Sequence, residues 1–127
     1  MRAYIDSDIL IWHLRGEKKA GQLMRRLTAE ENHELWMGAP QRAEITFFMK
    51  PAEEGHTLAV LSQLKTQSTT QSIVDRAAPL YRKWHPSHGI DTNDAILAAM
   101  SMETGGRIYT LNLRHFPMPG LDVVKAW

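Results

Sequence analysis

Asp6, Glu44, Asp91, Asp94 and Asn112 are the residues whose types and positions could do chemistry together. Asp6 directly follows the short apolar run Arg2 to Ile5, so its carboxylate projects from the end of a candidate strand. Its simpler role is to cap the helix that comes next. Glu44 lies within Ala43-Glu44-Ile45-Thr46-Phe47-Phe48, where an unpaired charge near the core boundary is costly. Something cationic should meet it, either an arginine such as Arg42 or Arg114, or a metal. Asp91 and Asp94 are three residues apart at a helix start, on one face and near its positive end. A capping box explains that pair without any function. The following run, Ala95 to Met100, is apolar all round, so this helix is expected to be buried with its acidic first turn opening on a cleft or a partner. Asn112 follows another candidate strand, where alone it would be an ordinary turn residue.

Carboxylates gathered at hydrogen-bonding distance repel and raise one another's pKa, so such a group needs a compensating cation. The chain has no cysteine, which leaves oxygen and imidazole as ligands. All-oxygen ligation points to Mg2+, with Mn2+ as the alternative. A metal held this way activates water and stabilises the leaving oxygen in phosphodiester hydrolysis. His13, His33, His56, His85 and His88 show no spacing that demands a metal.

The elements that must position these residues follow from apolar spacing. A strand over Arg2 to Ile5 is followed by a helix ending near Gly16, a charged helix from about Lys18 to Glu31, and a second strand over Leu35 to Ala39. Pro40 suits the first position of a helix that continues from Gln41 to Lys50. Leu58, Val60, Leu61 and Leu64 mark another helix, and Ser68 to Gln71 is a loop or a strand. Ile73 to Trp84 reads as a helix disturbed at Pro79, with a loop over His85 to Gly89. A helix over Asp91 to Thr104 closes at Gly105-Gly106, and Arg107 to Thr110 and Leu121 to Val124 are two last strands. This alternation predicts an α/β fold, a three-layer α/β/α sandwich on a mostly parallel sheet of about five short strands. Residues 1–127 read as one domain.

Composition narrows the function classes. Without cysteine there is no disulfide scaffold and no thiol nucleophile, which fits a reducing compartment. No apolar run approaches the roughly 20 residues of a membrane span, and Asp6 falls where a signal peptide would be apolar, so a cytoplasmic protein is expected. Fifteen Lys and Arg against fourteen Asp and Glu leave a formal charge of +1, which at first argues against a nucleic-acid partner. If four of the acids converge on a metal, however, the remaining surface is moderately basic. Lys18, Lys19, Arg25, Arg26, Arg82, Lys83 and Arg114 are then candidates for a phosphate-facing rim.

In order and spacing, Tyr4-Ile5-Asp6-Ser7-Asp8-Ile9-Leu10, Ala43-Glu44, Asp94 to Ala99 and Tyr109 to Phe116 resemble the PIN-domain nucleases, and among them the VapC toxins of toxin–antitoxin pairs. The resemblance implies a Mg2+- or Mn2+-dependent endoribonuclease acting on RNA. It implies a homodimer, and a small VapB-like antitoxin that blocks the acidic cleft. It also assigns Asp6, Glu44 and Asp94 as the family's first three acids and Asn112 as its recurrent asparagine. Where the family often has a fourth acid this chain has His115, so either Asp91 would supply the missing carboxylate or a second metal would bind weakly or only with RNA. Asp6 and Asp94 would be the main ligands, Glu44 and Asp91 would position or deprotonate water, and Asn112 would hold Asp6 or the surrounding water. Asp8 would support or cap, and His115 would donate a proton, contact phosphate or simply pack.

Two alternatives remain at this level. Asp6-Ser7-Asp8 superficially resembles the start of haloacid-dehalogenase-like phosphatases, but Leu10 replaces their threonine. The fold could also serve as an interaction module with a degenerate site and no catalysis. Four Trp and seven Met suit either a protein interface or a bulky core.

Overall fold

A computed structural model describes residues 1–127. The chain alternates β1 (Arg2–Ile5), α1 (Ser7–Leu14), α2 (Lys18–Arg25, continued by a π-helical turn over Arg26–Glu30), β2 (Glu34–Gly38) and α3 (Ala39–Thr46). A 3-10 turn over Pro51–Glu53 leads into α4 (Glu54–Leu61), β3 (Lys65–Gln67), α5 (Gln71–His88) and α6 (Thr92–Thr104). The last elements are β4 (Arg107–Thr110), a 3-10 turn over Leu113–His115 and β5 (Val123–Lys125).

The five strands are all parallel, in the order β3-β2-β1-β4-β5. The order reverses between β1 and β4, and a crevice outside the carboxyl ends of those two strands is where such a sheet binds ligands. Side chains alternate across the sheet as the two-residue strand period requires. Ala3 and Ile5 pack on one side with Ile9, Leu10, Leu27 and Leu61, while Tyr4 packs on the other with Ile73, Leu97, Met100 and Ile108. This is the three-layer α/β/α architecture, with a core on each face.

Several boundaries differ from the sequence expectation. α5 runs on to His88 through both Pro79 and Pro86, where a disturbance and then a loop were expected. Both prolines are solvent-exposed, and packing on α6 together with the left-handed Gly89 (φ 64°) carries the helix to its end. β3 lies at Lys65–Gln67, just before the expected loop-or-strand, and Thr70 caps α5 instead. Leu64 falls beyond α4, buried at the entrance to β3. Four methionines, Met24, Met37, Met100 and Met118, are core residues, which explains part of that composition by packing.

Candidate active site

The carboxyl ends of β1 and β4 lie side by side, since Ile5 is in register with Tyr109. The next residue on each strand is therefore Asp6 on one and Thr110 on the other. Asp6 is the N-cap of α1, with Oδ1 accepting from the Ser7 N–H at 2.8 Å. Its Oδ2 accepts from the Thr110 hydroxyl at 2.9 Å. Capping and a place in the crevice are thus compatible roles of one side chain. Asp8 ties the same two elements together, accepting from the backbone N–H of Ile9 at 2.7 Å and of Leu111 at 3.1 Å.

α6 brings the second carboxylate. Asp91 caps the helix and Asp94 completes a reciprocal capping box, the Asp94 N–H donating to Asp91 Oδ1 at 2.8 Å and the Asp91 N–H to Asp94 Oδ2 at 3.0 Å. His115 Nδ1 lies 3.2 Å from the same Asp94 Oδ2. Asp94 is only 9% exposed and Asp6 8%, whereas Asp91 is exposed.

α3 brings Glu44. Its Oε2 accepts from the Ser7 hydroxyl at 2.6 Å and its Oε1 from the Asn93 amide at 2.9 Å. Of the two cations expected beside Glu44, the arginine is not there: no arginine pairs with it, and two neutral donors meet its carboxylate. Asn93 is braced in turn by Gln41, whose amide donates to the Asn93 carbonyl at 3.2 Å. Gln41 is buried, and its own Oε1 has no partner.

Electrostatics mark Asp6 and Asp94 as the uncompensated pair. Burial first, then the neighbouring Asp8, push the Asp6 carboxyl up to about 7, and Asp94 adds to the effect. Burial raises Asp94 as well, with Asp91 and Glu44 reinforcing it, and burial likewise raises Asp8. Two buried carboxylates that resist ionisation, one within electrostatic reach of the other, form a site that gains from a cation. No three His, Asp or Glu side chains close around one point, so the expected gathering of three or four carboxylates is not a preformed cage. Glu44 is drawn off by Ser7 and Asn93, and Asp91 by its capping bond. Mg2+ is commonly held by one or two carboxylates with water completing its shell, so the Asp6 and Asp94 pair fits such an ion.

Comparison with known proteins gives this geometry a family. Residues 3–117 match the PIN domain family. The chain belongs to the PIN domain family. Ribonuclease VapC10 of Mycobacterium tuberculosis is 32% identical over 115 residues, covering 90% of this chain and 85% of that protein. A toxin–antitoxin complex from Klebsiella pneumoniae contains a chain with a TM-score of 0.78 at 23% identity, covering 98% of both. VapBC2 from Rickettsia felis, bound to a DNA fragment from their promoter, reaches a TM-score of 0.81 at 17% identity, again over 98% of both chains. At those identities the two structures speak for the fold alone.

Within the PIN fold, the expected residues divide. Asp6, Asp94 and Glu44 come together near the switch point, Glu44 bonding Ser7 beside Asp6 and Asn93 beside Asp94, and Asp91 serves the first turn of α6. Of the two roles expected of Asn112, holding Asp6 or the surrounding water, the first is filled by Thr110. Asn112 is exposed, and its backbone N–H donates to Thr110 Oγ1 at 3.1 Å, which turns the Thr110 hydroxyl proton toward Asp6. Ser7, Asn93, Gln41 and Thr110 were not singled out from the sequence. The usable signal was position: Ser7 and Asn93 adjoin the acids, and Thr110 ends the strand paired with β1. The proposed basic rim also divides. Arg114 stands beside the site, its guanidinium donating to the Ser87 carbonyl at 3.1 Å, and Arg82 and Lys83 lie near the end of α5 that leads into α6. Lys18, Lys19, Arg25 and Arg26 belong to α2 and its extension, reached only after α1 has carried the chain about 12 Å from Asp6.

Proposed function

We propose that this PIN-domain chain is a Mg2+-dependent endoribonuclease, with Mn2+ able to substitute, and that it is the toxin of a toxin–antitoxin pair. The observation that carries the reading is the pair of buried, charge-resisting carboxylates Asp6 and Asp94 at the sheet's switch point. The similarity to a protein named ribonuclease VapC10 over 90% of the chain supports the substrate class. Asp6 and Asp94 would hold the ion, which when bound supplies the Lewis acidity that activates water and offsets charge on the phosphate. Thr110 and the Ser7 N–H fix the Asp6 carboxylate, and Asp91 fixes the first turn that carries Asp94. Glu44, held by Ser7 and Asn93, orients the attacking water and accepts its proton through a remaining lone pair. Arg114 and the basic end of α5 contact RNA phosphates.

The antitoxin and a second copy of the chain are the expected protein partners. A groove of about 650 Å3 opens beside Glu44, lined by Ile11, Leu14, Arg15, Phe48, Met49 and His56 among others. Phe47 and Phe48 at the end of α3 are 79% and 81% exposed, an apolar pair that favours a covering partner. A peptide laid in this groove would reach Glu44. The cytoplasm is the expected compartment, and no helix is long and apolar enough to cross a membrane.

The test is RNA cleavage by the purified chain. Cleavage should require Mg2+ or Mn2+, stop with EDTA and disappear in Asp94→Asn. Cleavage that survives both the chelator and the substitution overturns the reading. Failure of the chain to cleave any RNA, with no saturable Mg2+ binding, would leave a partner-binding module.

A further inference from the structure

This inference rests on the metal-dependent reading above and concerns how many ions the site takes. Hydrogen bonds already hold most of the carboxylate oxygens. Glu44 gives one oxygen to Ser7 and the other to Asn93, and Asp8 gives one to Ile9 and the other to Leu111. Asp94 Oδ2 is held from two sides, by the Asp91 N–H at 3.0 Å and by His115 Nδ1 at 3.2 Å. The carboxylate oxygens that accept no hydrogen bond are the other oxygen of Asp94 and Oδ2 of the exposed Asp91, while each oxygen of Asp6, like each of Glu44, accepts one close bond and keeps a second lone pair.

A second ion sharing Asp94 would have to approach Oδ2 from the side that the imidazole covers. An N–H donor pointing at that oxygen presents positive charge to the incoming cation and competes for the same lone pair. His115 also stands within electrostatic reach of Asp8, so it faces the crevice from the β4 side. Its side chain is about one-third exposed and comes from the 3-10 turn directly after β4, which is tied to α5 by Arg114. The turn that carries it is thus tied to the fold, and its ring is held against Asp94 Oδ2.

We propose that the site binds a single divalent ion, held by Asp6 and Asp94, and that His115 stands where a second ion would have to bind. His115 is in this respect a positioning residue: it fixes Asp94 and limits the ion count.

The experiment counts Mn2+ ions on the full chain without RNA, from the loss of the free-ion electron paramagnetic resonance signal during titration, with circular dichroism melts as a check on folding. The wild type should bind one ion, and Asp94→Asn should weaken that binding by more than about tenfold. His115→Asp exchanges the donor for a carboxylate beside Asp94 and Asp8 and should raise the count to two. His115→Gln keeps an N–H donor without adding a carboxylate and should stay at one. A wild-type count of two, with cleavage still sensitive to EDTA, overturns this inference and leaves the nuclease reading standing. A wild-type count of zero overturns this inference, and together with no cleavage of any RNA it overturns the nuclease reading as well. A natively folded His115→Asp that remains at one ion overturns the role of His115, and if that variant does not fold, a count of two in His115→Gln does the same.

Discussion

The two ends of the sheet are built on opposite electrostatic plans. Where the strands begin, opposite charges are interleaved: Lys65 pairs with Glu34, and Arg107, which opens β4, pairs at 3.0 Å with Asp122 just ahead of β5. Arg2, which opens β1, lies 3.6 Å over the Trp36 ring and donates to Gln67. The hydrogen bond from Lys65, then that from Trp36, holds the Glu34 carboxyl below its usual range. Where β1 and β4 end, charges of one sign are crowded and buried, and Asp6, Asp8 and Asp94 are all pushed up. One end is therefore satisfied by its own residues, while the other persists because the two cores beneath it hold the backbone in place. Local electrostatic conflict tolerated at one end of a well-packed sheet marks the end that meets a ligand.

The contrast is broken most completely at Asp94 and Asp6. Asp94→Asn should lower Mg2+-dependent RNA cleavage by at least about 10²-fold, measured as initial rate on a defined RNA. Asp6→Asn should do the same while raising the melting temperature of the metal-free protein at pH 8 by a few degrees. Asparagine still caps α1 and still bonds Thr110, but it carries no charge. A rate loss accompanied by an equal loss of stability would mean that Asp6 is a cap and nothing more.

The pH dependence sharpens the same point. With its carboxyl at about 7 in the fold and 3.8 as an ordinary carboxyl, Asp6 binds a proton in the native state over a range where the unfolded chain has released it. Its contribution to stability is thus fully present below about pH 4 and is lost as pH rises through 7. In EDTA the melting temperature should fall between pH 5 and pH 8, and Asp6→Asn should flatten the fall. Mg2+ should raise the melting temperature more at pH 8 than at pH 5, because it binds the ionised pair. An equal shift at both values would mean that the ion binds elsewhere.

The sequence carried the architecture further than it carried the site's internal wiring. Alternating apolar runs and caps foretold four of the five strands, the polar β3 at Lys65–Gln67 carrying no such signal, and the all-apolar run after Asp94 foretold a buried helix with an acidic mouth. The carboxylates at the strand and helix ends were legible because a charge beside apolar residues is costly and so informative. Their partners were not. Whether Glu44 meets an arginine or two neutral donors depends on α3 crossing near Ser7 and the start of α6, a packing outcome with no periodic signal. The exposure of Phe47 and Phe48 was hidden for the same reason, since apolar residues near a helix end read as core until the neighbours are placed. α5 outran its prolines because tertiary contacts with α6 outweigh the loss of one backbone bond at each.

Smaller effects test how far the conflict at the site end is buffered by its neutral donors. Asn93→Ala removes the amide that holds Glu44 Oε1 and leaves the bond from Gln41 to the backbone carbonyl of residue 93 in place. Cleavage should fall about tenfold, as when a group orienting a functional side chain is removed, with a folding cost near 1 kcal/mol in denaturant titration. No change in rate would mean that Glu44 needs no orientation from that side.

At the opposite end the smallest effect is expected. Arg107→Ala breaks the pair with Asp122, whose two side chains are 36% and 45% exposed, so water and salt already screen most of the attraction. The melting temperature should move by less than about 2 °C, and the shift should shrink further in high salt. RNA cleavage should be unchanged, because the pair sits at the start of β4 and the carboxylates at its end. A large loss of activity in this variant would show that the two ends are coupled through β4, and that the satisfied end does more than hold the sheet in register.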